Sequence, residues 1–165
     1  PFPINVYSVK FLCGLNPPTP QGAIERGPVK PGNYLTAINI HNPNFSPVPF
    51  VKKAVLMYAT DATFQQGFEI PRAPGQLIQA QLPPDFGMEI DCADIRQVLL
   101  KGITLPTSNA FIKGWVVIET PAKWNLDIVT VYTAHGFNVS TSGLLEPEGF
   151  SLEIDRAPFT QVKAD

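Results

Sequence analysis

Apolar and polar residues alternate along much of this chain, and the alternation stops wherever proline and glycine gather. Val6, Tyr7, Val9, Phe11 and Leu12 crowd the segment from Ile4 to Cys13, which predicts a first strand. Three prolines and two glycines between Gly14 and Gly22 sustain neither a helix nor a ladder. They predict an extended loop that runs on to the Pro31-Gly32 turn. From Asn33 to Asn42 the pattern has two faces. Tyr34, Thr36, Ile38 and Ile40 form a core face, opposite Leu35, Ala37, Asn39 and His41. Asn42-Pro43-Asn44 ends that strand as a turn. Phe50 to Thr60 predicts the next strand, with Lys52 and Lys53 at its start; one of the two must point away from the core. Asp61 to Gly75 reads as loop. Gln76 to Leu82 alternates Leu77, Gln79 and Gln81 against Ile78, Ala80 and Leu82, Pro83-Pro84 breaks it, and Gly87 to Asp91 is a short strand.

One segment changes period. Asp91 to Gly102 predicts a helix: Asp91 can cap its start, Asp94 suits the first turn, and Lys101 with Gly102 suits the end. Its apolar stripe is Ile95, Val98 and Leu99. Ala110 to Glu119 and Leu126 to Ala134 are the strongest strands, joined by a hairpin-length link from Thr120 to Asn125. Trp115 is read as core. Leu126, Ile128, Thr130 and Tyr132 share a face opposite Val129 and Val131, the pattern of a central strand. After Gly136 the chain loosens, with two extended pieces at Phe150 to Asp155 and Pro158 to Lys163. About eight strands and one short helix predict an all-β domain, an antiparallel β-sandwich or jelly roll. Residues 1–165 form one domain with a body over 33–134, a terminal strand at 4–13, a Pro/Gly loop at 14–32 and an extended tail at 136–165.

Composition narrows function more than it names it. Twelve basic and fourteen acidic residues leave a formal net charge of −2, which argues against a nucleic-acid partner. Charged residues are only 16% of the chain, below the roughly 25% of soluble domains. No apolar run approaches the ~18 residues that a membrane-spanning helix needs. The chain begins Pro1-Phe2-Pro3 rather than with Met, which is read as a processed start and hence as export to the cell exterior or surface. Cys13 and Cys92 have no CxxC spacing and no paired histidines, so they are not read as a zinc site. A Cys13–Cys92 disulfide and two buried free thiols both remain open. Asn44-Phe45-Ser46 and Asn138-Val139-Ser140 match the short glycosylation sequon.

Catalytic chemistry has little to build on. His41 and His135 lie beside strand ends and read as rim residues, and no nucleophile elbow, zinc-binding or phosphate-loop motif appears. Neither a catalytic residue nor a cofactor is assigned. Glu89 and Asp91 would share one strand face and could serve acid–base chemistry or hold calcium, but Asp91 and Asp94 read first as helix caps. Glu146/Glu148 and Glu153/Asp155 read as solvated faces. Trp124, at a loop tip, is the candidate ligand contact, able to stack on a sugar or anchor a protein contact. The termini carry another signal. Phe2, Ile4 and Val6 at one end, and Ile154, Phe159 and Val162 at the other, lie on extended segments able to add a strand to a neighbour's sheet edge.

Several segments together resemble a family of small, exported bacterial proteins that carries no assigned activity. They are Tyr7-Ser8-Val9-Lys10-Phe11-Leu12-Cys13-Gly14, Ala37-Ile38-Asn39-Ile40-His41-Asn42-Pro43-Asn44 and Phe50-Val51-Lys52-Lys53. Asp91-Cys92-Ala93-Asp94-Ile95, Phe111 to Glu119 and Leu126 to Ala134 continue the series. The resemblance implies a single β-sandwich. A fainter likeness, over Ile38 to Asn44 and Trp115 to Val131, is to sensory rhodopsin transducer-like β-sandwich proteins and implies an oligomeric, non-enzymatic role. The combined expectation is a non-catalytic exported protein that associates with copies of itself, as an oligomer or extracellular filament, through its terminal strands. The alternative is a carbohydrate- or ligand-binding module built around Trp124.

Overall fold

A computed structural model describes residues 2–16, 29–59, 73–105, 109–139 and 145–163. In chain order the strands are β1 (Pro3–Asn16), β2 (Gly32–His41), β3 (Val48–Ala59), β4 (Ile78–Leu82) and β5 (Gly87–Asp91). β6 (Ile112–Pro121), β7 (Asp127–Val139), β8 (Leu145–Arg156) and β9 (Phe159–Lys163) follow a short helix, α1 (Cys92–Asp94), and a π-helical turn over Ile95–Leu99. The all-β class holds, with nine strands among the described residues. All the strand pairings are antiparallel.

The strands fall into two runs that β1 joins. One run is ordered β4-β3-β6-β1-β9; in the other, β2 pairs with β5 and β7, and β7 with β8. β1 lies in the first run through Cys13 and then passes to the second, where Gly14, Leu15 and Asn16 pair with Tyr34, Asn33 and Gly32 of β2. The first strand is therefore longer than the alternation predicts, and Gly14 to Asn16 belong to it rather than to the loop. Residues 17–28 of that loop lie outside the described residues, as do Thr60, the end of a predicted strand, and residues 61–72 of the loop that follows it.

The turn of β1 from one run to the other is written at Gly14. Its φ of +97° is a conformation L side chains avoid, and a Cβ there would sit 2.5 Å from the Ala110 carbonyl oxygen. Between the end of its β9 pairing at Tyr7 and the start of its β2 pairing at Gly14, one edge of β1 has no ladder partner. Side chains from the second run take over. Leu12 N–H donates to Thr36 Oγ1 (2.9 Å), and the same hydroxyl donates back to the Leu12 carbonyl (2.8 Å). Tyr132 donates its phenol proton to the Lys10 carbonyl (2.9 Å). Buried backbone polar groups must be paired, and these are.

Inward positions of both runs feed one buried cluster. Tyr7, Val9, Phe11 and Cys13 of β1 join Ile38 and Ile40 of β2, Ala54 and Leu56 of β3, Ile112, Val116 and Ile118 of β6 and Ile128 of β7. Burying each large aliphatic or aromatic side chain contributes roughly 1.5–3 kcal/mol. Trp115, expected in this core, is instead 38% exposed. The parity of β6 decides it: Gly114 and Val116 point inward, so Trp115 points out. At Gly114 a Cβ would come within 2.0 Å of the Val55 carbonyl and 2.9 Å of the Phe11 ring, so the inner site is already filled.

The helix starts as predicted and then departs. Asp91 Oδ1 accepts from Ala93 N–H (2.8 Å) and Asp94 N–H (2.9 Å), while Asp94 Oδ2 accepts from Asp91 N–H (3.2 Å), a reciprocal capping box. The next turn widens to π geometry, with Leu100 N–H reaching Ile95 O at 2.9 Å. The stripe therefore reads Ile95, Leu99 and Leu100, and Val98 faces out, 39% exposed.

The link from Thr120 to Asn125 has hairpin length but is a crossover, since β6 and β7 belong to different runs. β1 anchors it. Asn5 Nδ2 donates to the Trp124 carbonyl and to Asn125 Oδ1, both at 2.9 Å, and Leu126 N–H donates to the buried Tyr7 phenol oxygen at 2.8 Å. Burial raises the Tyr7 pKa above its ordinary value, the hydrogen bond from Leu126 opposing. Tyr7→Phe removes that acceptor and strands a backbone donor, so it should cost about 2 kcal/mol and lower the Tm by roughly 4–8 °C, read by calorimetry.

Candidate functional site

Three features outside the core can carry function: the corner where β1 changes runs, the terminal strands, and the outward faces of the sheet. At the corner, Cys13 and Cys92 form a disulfide between β1 and the start of α1, with their Cα atoms 5.7 Å apart. Arg96, one turn along the helix, lies against the same spot. Its Nη2 donates to the Ala110 carbonyl (2.6 Å) and the Cys13 carbonyl (3.2 Å), and its buried Nη1 has no partner. Burial alone pulls the Arg96 pKa below its ordinary value. Gly14, Leu15, Asn33 and Asn109 line a cleft beside it. Sequence reasoning passed over Arg96, because a single basic residue on a short helix looks like a solvated face.

The terminal residues separate by strand parity. β9 pairs with β1 of its own chain, with Pro3 opposite Lys163, Ile4 opposite Val162 and Tyr7 opposite Phe159. Directly opposed residues share a face, so Ile4, Val6 and Val162 lie together on the outward side. Phe159 lies on the inward side, its ring 5.7 Å from that of Tyr7. Phe2, 88% exposed, stands at the mouth of an open apolar groove of about 900 Å³, lined by Ile4, Pro49, Val51, Pro121 and Ala122. Every side chain from Ser151 to Arg156 in β8, and every one in β9, is exposed.

The remaining candidates are spread apart. His41 Nε2 lies 3.0 Å from Asp85 Oδ1, and both side chains are open to solvent. His135 pairs with Asn33 at the far end of β2, about 27 Å along the strand from His41, so the two imidazoles do not share a site. Trp124 is half-buried against the core, with the Lys123 ammonium 5.0 Å above its ring. Lys53 points outward and ion-pairs with Glu119, while Lys52 sits half-buried on the inward side. Desolvation lowers the Lys52 pKa, opposed by the Asp94 charge. Glu89 and Asp91 are exposed on β5, with Asp91 engaged as the helix cap. Asn44 is engaged with Asn42 and the Asn125 carbonyl; the side chains of Asn138, Glu146 and Glu148 lie outside the described residues. Among the described residues no cluster of three or more His, Cys, Asp or Glu could hold a metal ion, and no helix is long and apolar enough to cross a membrane.

Comparison with known proteins finds no matching family, no matching curated protein and no matching solved structure. The chemistry of the chain must be argued from its own residues.

The disulfide spans 79 residues of sequence. Closing a loop of that length restricts the unfolded chain by about 4.5 kcal/mol in the chain-entropy description. Reduction should therefore move the urea midpoint sharply downward, and the double replacement of Cys13 and Cys92 by Ala should reproduce the loss without reductant. Equal midpoints with and without reductant would show that Arg96 and the ladder hold the corner alone.

Proposed function

We propose that this chain is a non-catalytic structural protein, exported from a bacterial cell, that self-associates into an oligomer or filament through its extended terminal strands. The observation that carries the reading is the exposure of β8 and β9. From Ser151 to Lys163 only Ala157 is even half-buried, and Leu152, Ile154, Phe159 and Val162 are 54%, 65%, 44% and 39% exposed. Strands that bury so little in their own chain are held by backbone pairing, and their apolar side chains gain burial only against another surface. β9 follows β8 after Ala157-Pro158, so the pairing of β9 with residues 3–7 of β1 is open to exchange between two copies through that short link. The resemblance to small exported bacterial β-sandwich proteins supports export, and the fainter likeness to sensory rhodopsin transducer-like proteins supports an oligomer.

Sedimentation velocity of the intact chain should show species larger than a monomer, growing with concentration. Removing residues 158–165, or residues 1–4, should sharply weaken that association while far-ultraviolet circular dichroism keeps its strand signal. Unchanged sedimentation after both truncations would sink the terminal-strand mechanism.

A further inference from the structure

The outward faces of the two strand runs are both partly apolar, and they differ in charge. On the β4-β3-β6-β1-β9 side, Trp115, Met57, Leu77 and Val162 are 38%, 45%, 57% and 39% exposed. Lys10 and Lys113 stand among them, diagonal neighbours across the β1–β6 ladder; the Lys10 ammonium lies 5.4 Å above the Trp115 ring. Among the described residues neither lysine has a carboxylate within ion-pair distance, whereas the neighbouring Lys53 is neutralised by Glu119. Desolvation first, and repulsion from Lys10 second, lower the Lys113 pKa.

On the β5-β2-β7-β8 side, the outward apolar residues are Leu35, Leu152 and Ile154, at 52%, 54% and 65% exposure, around Ala37, Val129 and Val131. Among the described residues its outward carboxylates outside ion pairs are Glu89 and Asp91, the latter also capping the helix. Glu89 and Asp91 face out from β5 opposite Asn39 and Ala37, while Asp127 is matched by Arg156 at 3.6 Å.

We propose that these two faces dock on each other between copies: the acidic-apolar face of one chain stacks on the basic-apolar face of the next. The occupant of each face is a second copy of this chain. Stacking like on like would set Lys10 and Lys113 against their own copies, or Glu89 and Asp91 against theirs; stacking unlike faces pairs opposite charges and covers apolar surface on both. A contact between two different faces is heterologous, so it does not close after two copies and continues as an open row. The inference rests on the self-association proposed above and names a second joint, distinct from the terminal strands.

The test uses full-length chains carrying substitutions at exposed positions. Lys10→Glu with Trp115→Ser spoils one face; Glu89→Lys with Ile154→Ser spoils the other. Each variant alone should associate about tenfold more weakly or not at all, with less dependence on salt than the parent. Mixed together, the two should regain association, one of each meeting across this joint, because each keeps the face the other has lost. Calorimetry checks that folding is unchanged; where a double variant loses stability, Lys10→Glu and Glu89→Lys as single changes replace it. If the parent associates and the variants associate equally well, the stacked joint is wrong and the terminal strands alone explain assembly. Failure of the mixture to pair overturns the unlike-face geometry. A parent that stays monomeric at every concentration overturns both this inference and the reading it rests on.

Discussion

β1 is hydrogen-bonded into both strand runs, and the rest of the fold is arranged around that double membership. A strand that leaves one ladder before it enters the next exposes backbone donors and acceptors along its length, and burying them unpaired would cost roughly 1–3 kcal/mol each. Here the gap is closed from outside the ladder. Thr36 serves both the donor and the acceptor of Leu12, and Tyr132 serves Lys10. The inward alternation of β1 can then continue without a break from Tyr7 to Cys13, lining the core shared by the two runs.

The same strand explains the helix corner. β1 turns at a glycine whose neighbours leave no room for a Cβ, and the disulfide and Arg96 reach that point from the helical segment. The Asp91 capping box sets where the helix begins, and its position places Cys92 beside Cys13 and Arg96 over the Cys13 and Ala110 carbonyls. An unpaired cation in so confined a place is tolerated because two carbonyl dipoles meet one side of it. Covalent and charge-assisted contacts thus reinforce the one place where the ladder is thinnest.

Outward from this frame the energetics change character. The inner positions of the strands are closely filled, while β8 and β9 attach chiefly through backbone pairing and leave Leu152, Ile154 and Val162 open. Lone exposed apolar residues are ordinary on a protein surface; several of them gathered on the outer faces of paired strands are less so. That contrast between a closely filled interior and open apolar faces is what supports the proposed association between copies.

Much of the local structure was legible in the residues. The period-two alternation of Tyr34 to Ile40, the turn at Asn42-Pro43-Asn44 and the Asp91 cap depend on neighbours a few positions away, and each is found where the pattern puts it. Trp115 and Val98 lie elsewhere than the pattern predicts, each for its own reason. The alternation of β6 could be read in either phase until Phe11 filled the space inside Gly114, and the stripe of the helix shifted by one residue only because the π turn widened it. Arg96 gave no sign of its role, since the carbonyls it meets belong to Cys13 and Ala110, 83 and 14 residues away. The sequence alone therefore determined where most strands lie, the Asn42-Pro43-Asn44 turn and the helix start, because these follow from period, capping and backbone preference within a short window; it did not show that β7 runs on to Val139 or that β8 begins at Leu145. Only the tertiary structure decided that β1 serves two runs, that the cysteines meet, and which side chains share an outer face. Those depend on register between strands far apart in the chain, where a one-residue shift exchanges inside for outside.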